Sequence, residues 1–325
     1  RARPAAISSR TASPCRSSRP PGDRVPARLA RRLFATSHSP VNPALVLVSA
    51  LCMAATGGFA PPDSTGPYAV ATFDVSIPRG RRSMPGIVYR PLSDDSTSGL
   101  RPAVVFGHGY LAAAGRYDSI CRRLASHGFY VLVPAYPDPG LFGPFEPVAG
   151  EMKAAREFLD SLAHLPGMGL DAHRIALVGH SMGGGAAFLD ARRDTSGSVK
   201  AVAGLAPYRI SRQTYPESLH VPAMVIAGGN DRSAPATTVH REFYEPCPAP
   251  CYYVLVRAGG HNGFLDITSW LEDRFEPFDR VVQLKATRTY LTAFLQVYLA
   301  GDERYRPWLV DPALGAGMGV RLEHK

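Results

Sequence analysis

With 325 residues, 45% of them apolar and 19% charged, the chain has the composition of a globular protein and the length of one large or two small domains, not of a low-complexity polymer. A net charge of +9 at first suggests a nucleic-acid or anionic-membrane partner, but residues 1–60 hold nine arginines against one acid, Asp23. The remainder is close to neutral, so no basic face and no nucleic-acid partner are expected on the folded body.

Residues 1–60 read as a targeting leader, and 61–325 as a single folded domain. The leader is rich in Arg, Ser and Pro. Its uncharged stretch 44–60, ALVLVSALCMAATGGFA, ends in small residues and meets a linker, PPDSTGP. That order matches an export signal, so a secreted or periplasmic protein without stable membrane insertion after leader removal is expected. A monomer is expected. Arg31 and Arg32 in ARRLFAT resemble a twin-arginine motif, although the apolar stretch lies far downstream. An organelle transit peptide is the alternative, and a retained anchor comes third, because the stretch is short for a membrane span.

From residue 68 onward, strand and helix patterns alternate. YAVATFDVSI (68–77) and MPGIVYRP (84–91) form an antiparallel opening pair. PAVVFGHG (102–109) is an apolar run ending in glycines, as in a parallel strand buried on both faces. YDSICRRLASHG (117–128) is an amphipathic helix stopping at Gly128, and FYVLVPAYP (129–137) is the next strand. A helix over 147–165 begins with Pro147. Then come the strand RIALVGH (174–180) and the helix MGGGAAFLDARR (182–193). Strands over 199–207 and 221–229, a helix over 234–245, a strand over 251–260 and a closing helix over 278–299 complete the chain. Such alternation predicts an α/β fold with a mostly parallel central sheet flanked by helices. Of five cysteines, Cys15 and Cys52 fall in the leader. Cys121 lies on an apolar helix face, and Cys247 and Cys251 in CPAPC are either a small disulfide loop or two free thiols.

GHSMG (179–183) fits G-x-S-x-G between a buried strand and a helix, the context of a nucleophile elbow at Ser181. Gly184 and Gly185 each cost a helix about 1 kcal/mol against Ala, which predicts close backbone packing beneath the site. A serine hydroxyl needs a base, and the base a carboxylate to orient it. Asp231 and His261 each follow a predicted strand, in the chain order Ser, acid, His. His240 competes as base but sits inside a predicted helix, and Asp266 is a reserve acid that follows the histidine. Two backbone N–H groups are needed for the oxyanion. Met182 would supply one, and Tyr110, ending GHGY, the other. His108 reads as a turn residue, since no metal-binding spacing accompanies it, and no metal or cofactor is expected.

On these residues the chain resembles the α/β-hydrolase superfamily, and within it the cutinase-like polyester (PET) hydrolases and their dienelactone-hydrolase-like and chlorophyllase-like relatives. The resemblance spans residues 103–309 and includes RLASHGFYVL, RIALVGHSMGGGAAF, GNDRSAPATTVHREFY, GGHNGF and YLAGDERYRPWL. It implies a Ser181, Asp231, His261 triad, oxyanion amides at Tyr110 and Met182, and substrate contacts from Tyr110, Met182 and Tyr208. Tyr208 stands where the polyester hydrolases carry Trp, and AGG at 227–229 lacks the cysteine that some of them use. SWLEDRFEPFDRVVQ (269–283) is closer to general dienelactone-type hydrolases. The stretch 206–221, where lipases insert a lid, is only 16 residues long and takes in the ends of two strands, so no large lid and an open cleft are expected, with Phe142 or Phe145 adding to its aromatic lining. The expected function is a serine ester hydrolase on small-molecule or polymeric esters. A chlorophyllase-like enzyme or short-chain carboxylesterase or lipase is the rival, and a non-catalytic hydrolase-fold binding protein the alternative of another class.

Overall fold

The structure, a computed structural model, describes residues 59–92, 99–140, 143–269 and 277–325. The leader lies outside the described residues except for Phe59 and Ala60, which rest on Tyr305. Phe142 and part of 269–283 also lie outside them. No helix among the described residues is long and apolar enough to cross a membrane.

Among the described residues, nine strands make one sheet: β1 (Ala69–Arg79), β2 (Arg82–Leu92), β3 (Arg101–Gly107), β4 (Tyr130–Pro134), β5 (Leu170–His180), β6 (Val199–Leu205), β7 (Ala223–Gly228), β8 (Cys251–Val256) and β9 (Val320–His324). Their order in space is β1-β2-β4-β3-β5-β6-β7-β8-β9. The expected opening pair is an antiparallel hairpin turning on Gly80 and Arg81, with Gly80 at φ +57°. β4, β3, β5, β6, β7 and β8 run parallel. β4 and β7 are buried throughout, as strands covered on both faces must be. β9 has no strong strand pattern in its sequence. It pairs antiparallel with β8, and its sequence VRLEH carries charge and little alternation because it closes an edge.

The helices follow from local chemistry. α1 (Asp118–Ser126) ends where Gly128 takes φ +101°. α2 (Pro147–Ala163) starts with Pro, whose missing N–H is no loss in the first turn. α3 (Met182–Arg193) follows β5 directly. The helix expected over 234–245 is a single α turn, α4 (Ala236–Val239), followed by a wider turn, His240–Tyr244. That wider turn packs His240 against Tyr244 and Tyr253. α5 (Arg280–Leu295) is capped by the Asp279 carboxylate on the N–H of Val282, and a wider turn carries it on to Gly301 at φ +77°. α2 and α3 are joined by a buried ion pair of Arg156 with Asp190 at 3.3 Å, and Arg156 also meets Asp194 at 3.1 Å.

The chain adds β4 on one side of β3 and β5 on the other, so loops leaving β3 and β5 diverge and open a crevice at their carboxyl ends. Register places Gly107 of β3 beside Gly179 of β5, and Gly179 beside Gly204 of β6. The GHGY loop and Ser181 are therefore neighbours by strand pairing alone. Between β6 and β7 there is one short 3-10 turn, Pro216–Ser218, and no helical lid.

Candidate active site

Ser181 stands between β5 and α3 at φ +52°, ψ −117°, a backbone state L-residues rarely adopt. Three bonds hold it there. Its N–H donates to the Leu205 carbonyl at 2.9 Å, and its own carbonyl accepts from Gly185 at 3.0 Å and Tyr208 at 2.9 Å. Leu111 and Ala206, the other two non-glycine residues at positive φ among those described, lie in the loops on either side of it. The expected close packing under the site is present. A β-carbon on Gly185 would lie 2.0 Å from the Tyr208 carbonyl oxygen.

Asp231 follows β7 and His261 follows β8, and the two loops are stitched together by the Asn230 N–H on the Gly259 carbonyl at 2.7 Å. His261 Nδ1 meets Asp231 Oδ2 at 2.8 Å, and Nε2 meets Ser181 Oγ at 2.9 Å. The other Asp231 oxygen accepts from the Ser233 and Ala234 N–H groups at 2.9 and 2.6 Å. The carboxylate is fully buried, the imidazole side chain 13% exposed. One residue invisible to sequence reasoning holds the histidine loop. Gln283 of α5, wholly buried, accepts from the Gly260 N–H at 2.9 Å and donates to its carbonyl at 2.8 Å.

The rival groups are occupied elsewhere. His240 bonds Glu245 and Glu323. Asp266 accepts from the Ser119 N–H and hydroxyl at the start of α1. His108 is buried, stacks on Tyr136 at 3.9 Å, and contacts the Gly109 and Tyr136 carbonyls. Burial holds its imidazole below the ordinary value. His180, the middle residue of the GHS turn, is buried too, and burial, reinforced by neighbouring His261, keeps it well below the ordinary value. Cys121, Cys247 and Cys251 are buried free thiols. A hydrogen bond with Cys247 and burial raise the Cys251 thiol.

Met182 N–H belongs to the first turn of α3 and has no partner within the helix. Tyr110 N–H lies between two tied neighbours. Gly109 N–H donates to the Tyr117 hydroxyl at 2.9 Å, and Leu111 N–H to Asp138 Oδ1 at 2.8 Å. Beside Ser181 is a cavity of about 30 Å³ bounded by Tyr110, Arg116, His180, His261 and Leu265. Met182 is buried, whereas Tyr208 is 46% exposed. Phe145 bridges the aromatic wall, 5.4 Å from the Tyr110 ring and 6.2 Å from that of Tyr208. A buried carboxylate, an imidazole and a hydroxyl in line can generate a nucleophile, and the start of α3 beside it supplies a field that favours developing negative charge.

A family model described as PET hydrolase-like matches residues 60–317. The chain belongs to the PET hydrolase-like family. It is 25% identical over 251 residues to cutinase 1 of Thermobifida cellulosilytica, covering 76% of this chain and 85% of that one. It is 29% identical over 188 residues to a bis(hydroxyethyl) terephthalate hydrolase of Streptomyces coelicolor, covering 57% and 56%. It is 28% identical over 251 residues to lipase 1 of a Moraxella species, covering 75% and 69%. This PET hydrolase-like chain is accordingly an ester-hydrolysing enzyme of the α/β-hydrolase superfamily, of the cutinase type.

Proposed function

We propose that the enzyme cleaves carboxylic esters through Ser181, His261 and Asp231 by way of an acyl-enzyme. The observation that carries this reading is the line of two short hydrogen bonds from Asp231 through His261 to a serine held in a strained turn. His261 Nε2 takes the Ser181 proton as Oγ attacks the ester carbonyl, and returns it to the departing alkoxide. Water, deprotonated by the same nitrogen, then attacks the acyl-enzyme and frees the acid. Asp231 fixes the imidazole with Nδ1 protonated and stabilises the imidazolium, and the N–H groups of Tyr110 and Met182 receive the oxyanion.

Substrates are bulky or polymeric esters laid across an open aromatic surface of Tyr110, Phe145 and Tyr208, with only a small space beside the serine itself. A chain of the mature length, exported by its leader, would meet such substrates outside the cell. The pattern of residues 44–60 supports export. The test is hydrolysis of a p-nitrophenyl ester series, polyester film and chlorophyll by residues 61–325, beside Ser181→Ala. Turnover surviving in Ser181→Ala overturns the mechanism. Turnover of short esters with inert film assigns a short-chain carboxylesterase instead.

A further inference from the structure

The residues expected to receive the oxyanion sit on separate segments, the loop after β3 and the turn after β5. One buried hydroxyl joins those segments. Tyr117, fully buried before α1, lays its ring against Phe106 of β3 at 4.9 Å. Its hydroxyl oxygen accepts the Gly109 N–H at 2.9 Å and lies 2.8 Å from His180 Nδ1. Gly109 directly precedes Tyr110, and His180 directly precedes Ser181.

We propose that Tyr117 is a positioning residue for ester hydrolysis, setting the spacing between the Tyr110 and Met182 N–H groups by bridging Gly109 to His180. The inference rests on the serine mechanism above and adds a residue to it. The Gly109 N–H can only donate, so it takes a lone pair of the hydroxyl oxygen. The hydroxyl proton is then free to go to His180 Nδ1, an arrangement in which the imidazole is neutral with its proton on Nε2. Burial favours the same state, keeping Tyr117 protonated and His180 uncharged. A neutral His180 matters because its ring centre is only 4.8 Å from that of His261, which must carry positive charge as the oxyanion forms. The approach also demands glycine at 109, since a β-carbon there would lie 2.9 Å from His180 Nδ1. On its far side the loop is tied by Leu111 to Asp138, so the Tyr110 amide is clamped from both directions.

Removing the hydroxyl keeps the ring and its packing while leaving the Gly109 N–H and His180 Nδ1 without this partner. Tyr117→Phe should lower kcat by about 10-fold to 100-fold, the cost expected of a displaced oxyanion donor, with KM within about twofold. Inhibition by a tetrahedral boronate should weaken by the same factor, because it reads the same amides. Burst titration with p-nitrophenyl butyrate counts the competent serines, so rates are compared per active site. An unchanged kcat per site overturns the proposal, as does a loss explained by fewer competent sites alone. Ser181→Ala, run alongside, separates the two readings. Turnover surviving there overturns the serine mechanism and this inference with it, whereas a silent Ser181→Ala beside an unimpaired Tyr117→Phe overturns this inference alone.

Discussion

A β-carbon on Gly179 would lie 2.3 Å from the carbonyl carbon of Gly183, and one on Gly183 would lie 2.4 Å from the Gly107 carbonyl oxygen. The turn at Ser181 thus depends on backbone packed directly on backbone, with no flexible side chain to give way. Gly183→Ala should abolish ester hydrolysis and either prevent soluble expression or lower Tm by more than 10 °C, against the roughly 4 °C or less that 1 kcal/mol costs a chain this long. Gly150→Ala, in α2 with open space around it, is the control. It should leave activity unchanged and raise stability by up to about 1 kcal/mol. Thermal melts of both variants and their p-nitrophenyl ester turnover check the contrast.

Asp231 binds two backbone N–H groups through one oxygen and His261 through the other. Asp231→Asn can keep the first set by turning its amide oxygen toward Ser233 and Ala234. Its NH2 then faces His261 Nδ1 and forces the proton onto Nε2, where Ser181 needs an acceptor. The expected result is a loss in kcat on the order of 10⁴-fold with little change in Tm. A variant within tenfold of the parent would show that the imidazole does not depend on this carboxylate.

Gln283 grips both the N–H and the carbonyl of Gly260, one residue before His261. Gln283→Leu leaves both groups buried without that partner, at about 1–3 kcal/mol each. It also frees the histidine loop. Tm should fall, and kcat/KM should drop about tenfold even at temperatures where the variant is fully folded. Urea titration gives the first number and steady-state kinetics the second. Stability lost without any change in kcat/KM would make the clasp structural only.

Why the central sheet was legible and other parts were not has a physical explanation. Strands such as AVVFG and IALVG are buried on both faces, so their sequences are almost purely apolar and end in the glycines that backbone packing demands. Asp231 and His261 are legible because each lies just past such a run and they follow Ser181 in the order acid, then histidine. β9 is an edge strand with charge on it and no strong pattern. The wide turn at 240–244 keeps the apolar spacing of a helix, so periodicity does not separate the two. Tyr117 reaches His180, 63 residues away, and Gln283 reaches Gly260, 23 residues away, and neither lies in a local motif. Nothing in the neighbourhood of either residue announces what it touches.

Among the described residues three histidines, His108, His127 and His180, are buried, and burial is the largest cause holding each below its ordinary 6.5. The folded protein therefore keeps them neutral at a pH where the unfolded chain would protonate them. With more protons bound in the unfolded state, unfolding free energy rises with pH. Stability is full above about pH 7 and is lost as pH falls below 6.5, at up to about 1.4 kcal/mol per pH unit for each histidine. Asp171, Asp194 and Asp302 are held below 3.8, so their stabilising contribution is lost only at lower pH. Asp190, raised by burial, acts in the opposite sense but offsets at most one of three protons. Urea melts at pH 7.5, 6.5 and 5.5 should show a flat upper limb and a steep fall. His127→Asn, at a residue that bonds Ser64 away from the serine site, should make that fall shallower by about a third. Stability constant from pH 7.5 to 5.5 would mean that the unfolded chain gains no protons over the folded one, and that these imidazoles are not held neutral by the fold.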